Sequence, residues 1–150
     1  MTETAIAEHG LIGDLQTAAL VSTDGSIDWF CCPRFDSPSV FGALLDDERG
    51  GHFRVRPASG VAYESKQMYF PDTAILITRF FTEGGVGEVV DFMSPAGRQA
   101  TDNHRLVRML RCVRGELSFE IDIAPRFDYG RKAHRTDLTE HGMTFSTDTL

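Results

Sequence analysis

The chain has 150 residues, 41% of them hydrophobic and 25% charged, with 11 Phe and a formal net charge of -7. That length builds one domain with a real core, and the composition excludes disordered and collagen-like classes. The acidic balance argues against nucleic acid as a partner, because phosphate backbones are bound by basic surfaces. No apolar run approaches the roughly 18 residues of a membrane span. The opening MTETAIAEHG lacks the basic and apolar segments of a secretory signal. A cytoplasmic protein without a membrane partner is expected.

In chain order, Ala18 to Thr23 and Ile27 to Cys32 read as strands around Asp24-Gly25, a dipeptide suited to hairpin turns. From Ser37 to Leu45 the spacing predicts a short helix, near 38–46. Ser37 can cap it, Pro38 suits the first position, and Val40, Phe41, Leu44 and Leu45 share one face. His52 to Arg56 alternates with period two. Ala74 to Thr82 and Val86 to Met93 flank Glu83-Gly84-Gly85 as a second hairpin. Gly84-Gly85-Val86-Gly87 is therefore a turn and not a phosphate loop, which would need a helix after it.

Between Arg105 and Arg114 an arginine recurs every third residue, as on a helix. The short turn at Gly115 into the alternating Leu117 to Ile123 favours a strand instead. Met143 to Thr147 reads as a last strand. Seven or eight strands with little helix predict an all-β fold, an antiparallel β-sandwich or part of one.

The three cysteines form no spaced framework, and an odd count suits a reducing compartment. Adjacent Cys31 and Cys32 point to opposite faces of a strand, so they read as buried thiols and not as a zinc pair. The five histidines show no HExxH-type spacing, so neither a metal nor a cofactor is expected. The locally basic stretch from Phe127 to Arg135 reads as a solvated loop, or as a face that meets an acidic partner.

The most informative cluster is Trp29 with Pro33-Arg34-Phe35-Asp36, which is echoed at Pro125-Arg126-Phe127-Asp128. An aromatic platform beside a guanidinium and a carboxylate is what sugar recognition uses, because ring faces pack on C–H surfaces while charged groups bind hydroxyls. The plain alternative has Trp29 and Phe35 filling the core while Arg34 pairs with Asp36.

Gly10-Leu11-Ile12-Gly13-Asp14, Thr17-Ala18-Ala19-Leu20-Val21-Ser22, Asp24-Gly25-Ser26-Ile27-Asp28-Trp29 and Pro33 to Phe41 follow one another along the chain. Then come Tyr69-Phe70-Pro71-Asp72-Thr73, Thr78-Arg79-Phe80, Asp91-Phe92-Met93 and Ala124 to Gly130. As an ordered set, they resemble the amino-terminal region of bacterial glycoside hydrolase family 15 proteins, the trehalase and glucoamylase-like enzymes. The resemblance implies a supersandwich-type β-domain over 1–150, or most of it, followed by an (α/α)6 barrel. Two barrel glutamates would act as general acid and base of an inverting α-glucoside hydrolase, held roughly 6.5–9.5 Å apart so that a water fits. Both are expected beyond Leu150, so this chain should be inactive alone, either a truncated piece or a natural fragment. Some strands of the whole β-domain are expected to be missing as well, leaving edges that invite a second copy to pair. Trp29, Arg34, Phe35, Asp36, Arg126 and Asp128 are the candidates for a substrate or domain-interface role. An independent carbohydrate-binding module and a purely structural domain are the competing readings.

Overall fold

The computed structural model describes residues 5–148. After one 3-10 turn at Ile6–Glu8, the described residues form twelve strands and no α-helix. These are β1 (His9–Gly13), β2 (Ala18–Ser22), β3 (Ser26–Cys31), β4 (Ser39–Phe41), β5 (His52–Pro57) and β6 (Tyr63–Tyr69). They continue as β7 (Leu76–Thr82), β8 (Gly85–Met93), β9 (Leu106–Gly115), β10 (Phe119–Ala124), β11 (Arg135–Thr139) and β12 (Gly142–Ser146). One antiparallel sheet runs β1-β2-β3-β5-β10, with β4 on β3; the second runs β6-β7-β8-β9; β11 and β12 make a separate hairpin.

The two large sheets stack as the expected sandwich. Ile12, Ala19, Val21, Ile27, Phe30 and Phe41 of the first meet Leu76 and Met93 of the second. A smaller cluster joins Val55 to Phe80 and Val89. The Asp24-Gly25 turn is where the sequence places it. Gly25 has φ +85, and a Cβ there would stand 2.1 Å from the Val55 carbonyl oxygen, so only glycine fits.

The expected helix near 38–46 is absent. Ser39–Phe41 is a strand bonded on both sides: Phe41 registers with Phe30, while the Val40 and Ser39 carbonyls accept from the amides of Arg126 and Asp128. The next residues turn, with Asp46 Oδ1 accepting from the amides of Glu48 and Arg49. A three-residue strand with partners on both edges saturates backbone groups that an isolated two-turn helix would leave half unpaired. Arg105 to Arg114 falls in the strand that its surroundings favoured, and Glu83-Gly84 is the β7–β8 turn, with Gly85 opening β8.

The sandwich interior holds a charge. Arg108 on β9 donates to both carboxylate oxygens of Asp91 on β8, at 2.8 and 3.1 Å. It also crosses to the other sheet, donating to the carbonyls of Phe53 (2.6 Å) and Gly25 (2.8 Å). Its guanidinium carbon lies 4.9 Å from the Phe53 ring centroid. Gln67 makes a parallel tie, its Nε2 donating to Val21 O, Ser22 O and Thr78 Oγ1.

One flank of the sandwich is bare. Ile121 and Ile123 of β10 register with the inward-facing Val55 and Phe53, yet they are 55% and 38% exposed. Leu110 of β9, opposite fully buried Val89, is likewise exposed. The edges of β9 and β10 carry no further strand among the described residues.

Replacing Arg108 by Met strands Asp91 as a buried, unpaired acid and is expected to cost about 3–5 kcal/mol in urea unfolding. Pairing it with Asp91→Leu should recover much of the loss. A double variant as unstable as the single one would mean that the tie works through the two carbonyls and not through charge.

Candidate functional site

The candidate residues gather around β4. Its carbonyls accept from the amides of Arg126 and Asp128, and Ser39 Oγ accepts from the Tyr129 amide at 2.8 Å. On the other side the chain leaves β3 through Cys32, whose amide donates to Pro38 O. The two Pro-Arg-Phe-Asp copies therefore border one short strand. Their roles differ: Phe127 is 8% exposed and packs against His134, whereas Phe35 is 72% exposed.

Trp29 is half-buried, with its ring 6.2 Å from that of Tyr129. Arg34 and Asp36 pair at 3.5 Å, both largely exposed, in the surface geometry whose net contribution is near zero. Phe35 does not fill the core, so the plain reading holds for the ion pair and fails for that ring. Arg126 is exposed and Asp128 half-buried. Asp128, Tyr129 and Gly130 all have positive φ (52, 57 and 76), a costly run that is fixed by β4 and by the Gly130 amide on Arg126 O.

Beside this loop stands a second protrusion with no clear signature in the residue pattern. Leu15 is 93% exposed with φ 75. The turn around it is rigid. Asp14 Oδ1 accepts from the amides of Gln16 and Thr17, both at 3.0 Å, and Asp14 Oδ2 meets His104 Nδ1 at 2.5 Å. Gln16 Oε1 accepts from the Thr101 amide. The Phe35 amide donates to Gln16 O at 3.3 Å, so the Phe35 loop is pinned to the Leu15 turn. The signal that could have found this is a lone Leu between Asp and Gln, too weak to act on.

Across the first sheet, under the 43–48 turn, lies a polar cavity of about 570 Å³ lined by Asp24, Asp28, Ser26, His52, Arg54 and Leu44 among others. Burial raises the Asp28 carboxyl above its ordinary value despite its contact with His9 Nε2, 2.7 Å from Oδ2. Its Oδ1 is buried without a partner. Burial also pulls Asp24 upward, but hydrogen bonds from Ser22 and Ser26 outweigh it and hold that carboxyl low. The cavity offers acceptors and the Arg54 guanidinium to hydroxyl-bearing molecules. None of the candidate residues read from the sequence lines it. Cys31 and Cys32 have thiols pushed up by burial, away from thiolate chemistry.

The family model described as "Trehalase-like, N-terminal" matches residues 1–149. The chain belongs to that family. It is 33% identical over 144 residues to a trehalase of Thermoplasma volcanium, covering 95% of this chain and 23% of that protein. It is 39% identical over 142 residues to a trehalase of Mycolicibacterium smegmatis, covering 84% and 21%. It is 42% identical over 121 residues to Trehalase 1 of Sulfolobus acidocaldarius, covering 81% and 19%. The chain thus spans about a fifth of the length of these relatives. No solved structure matches it significantly.

Burial raises the Asp14 carboxyl, but bonds from His104 and the Thr17 and Gln16 amides prevail and hold it below 3.8. A depressed carboxyl stabilises the fold above the unfolded value, and that contribution fades as pH falls through the folded one. Asp14→Asn should therefore melt lower than the parent at pH 7, by about 1–3 kcal/mol of stability. The gap should close on acidification below pH 3.8; a gap constant across pH in thermal melts would remove Asp14 ionisation from the account.

Proposed function

We propose that this chain is the non-catalytic amino-terminal β-domain of an inverting α-glucoside hydrolase of the glycoside hydrolase family 15 type. Trehalase is the activity favoured by the names of its relatives. The bare flank carries the reading. Inward-facing Leu110, Ile121 and Ile123 lie exposed beside two unpaired strand edges, in a chain one fifth as long as its relatives. Further strands cover that flank, and a barrel beyond them carries the general acid and base. The free cysteines fit a reducing, cytoplasmic setting.

Within the whole enzyme, the Arg34–Asp36 loop forms part of the rim that meets the barrel. Exposed Leu15 and Phe35 supply the apolar contact, while Arg34 and Asp36 supply hydrogen bonds to sugar hydroxyls or to the facing domain. Trp29, Arg126 and Asp128 hold the base of this rim against β4. An independent carbohydrate-binding module would need a platform of exposed rings. Here Phe80 is fully buried, with Tyr63 and Phe119 packed edge-on against it, which favours the scaffold.

In the full-length enzyme, Arg34→Ala should lower kcat/KM for trehalose about tenfold or more, as expected for the loss of charge-assisted hydrogen bonds. Unchanged kinetics with an unchanged Tm would remove Arg34 from both the pocket and the interface. The purified 150-residue chain should neither hydrolyse trehalose nor bind it tightly in a calorimetric titration. Robust turnover would overturn the proposal, and tight binding would favour the module.

A further inference from the structure

The β6-β7-β8-β9 sheet mixes polar and apolar residues on both faces: polar groups stand among the core residues Leu76, Phe80, Val89 and Met93 inside, and an apolar row crosses the outside. Its inner face holds Gln67, Thr78, Asp91 and Arg108, all tied across the sandwich or to one another. Its outer face carries the apolar row Met68, Ile77, Val90, Met109, one residue from each strand in register. Phe92 and Val107 form the neighbouring pair on the same face. Met68 and Met109, at the ends of the row, are 41% and 45% exposed. An antiparallel sheet that ends in water shows polar residues on its solvent face, whereas apolar rows on that side mark a sheet covered twice.

The next row in register is Lys66, Arg79, Glu88, Arg111. Glu88 is fully buried between the two arginines, with Arg79 Nε at 2.7 Å and Arg111 Nη2 at 2.8 Å. Two arginines share one carboxylate there, with Lys66 next to Arg79 in register, on a chain whose net charge is -7. The outer face of the other sheet differs: it presents the polar cavity with Asp24, Asp28, His52 and Arg54. The Phe92–Val107 end of the apolar face runs into the 94–105 loop, which is bonded to the Leu15 turn through Thr101 and His104.

We infer that the outer face of the β6-β7-β8-β9 sheet is the surface on which the rest of the longer polypeptide docks, through an apolar patch edged by carboxylates. This rests on the proposed role as one domain of a larger enzyme and names the face that does the joining. Three observations select this occupant. The relatives carry about four-fifths of their length outside the matched region. The charge row calls for acidic residues opposite it. The apolar face is continuous with the loops that hold the rim. The partner segment lays its apolar residues on Met68 and Met109, the exposed ends of the row whose middle, Val90, is already buried, and its carboxylates reach Arg79 and Arg111.

The test is thiol labelling. In a Cys112→Ser background, Met68→Cys and Met109→Cys are each reacted with a maleimide, in the 150-residue chain and in the full-length protein. Both sites should react about tenfold more slowly or less in the full-length protein, while a Leu45→Cys control, on the cavity turn, keeps its rate. Equal rates at 68 and 109 in the two proteins would overturn the inference. So would protection in the 150-residue chain that vanishes on dilution, which would assign the face to a second copy. Circular dichroism of each variant confirms that the fold survives. Protection without trehalose hydrolysis by the full-length protein would sink the functional reading and leave the docking face standing.

Discussion

The Arg108–Asp91 pair is the constraint around which the sandwich is arranged. It occupies the layer where two β-sheets ordinarily share only apolar side chains, and burying it costs the desolvation of both ions. That cost is offset by full use of the guanidinium: two bonds to the carboxylate, one to each of two carbonyls on the opposite sheet, and a ring beneath it. These bonds have directions, which hydrophobic contacts do not. They fix where β9 lies over β5 and the Gly25 turn, so the pair sets the relative position of the sheets as well as holding them together.

Such an interior explains which parts of the fold were legible in the sequence. The β2–β3 and β7–β8 hairpins announced themselves, because turn residues sit between runs that bury one face. Strand β6 did not: its inward residues are Tyr63, Ser65, Gln67 and Tyr69, so the expected period-two apolar pattern is absent. Strand β1 was hidden by its two glycines, although Gly10 is there to admit Leu76, whose side-chain carbon would stand 2.5 Å from a Cβ. Strand β4 carried helix signals, a cap and an apolar face, that its two strand-like neighbours overrode. The arginine repeat from 105 to 114 imitates a helix. In the strand it divides between faces, Arg108 inward and Arg111 outward onto Glu88.

The candidate site was half legible. Motif spacing drew attention to Trp29, Arg34, Asp36 and the echo at Arg126 and Asp128, and the fold gathers these segments around β4. Periodicity could not tell that one phenylalanine of the two copies is core and the other is solvent-facing, because that depends on which segment pairs with β4. The Leu15 turn and the cavity beside Asp28 arise from contacts between residues far apart in the chain, His104 with Asp14 and His9 with Asp28. No local reading could foresee either.

The Tyr69 phenol bonds both the amide and the carbonyl of Leu11, each at 2.8 Å. Leu11 lies in β1, the outermost strand on that side, so one hydroxyl occupies backbone groups that an incoming strand would need. The first sheet therefore has one blocked margin and one receptive margin, β1 and β10. Any strand added to this sheet is steered to β10, because β1 is closed by a side chain borrowed from the opposite layer.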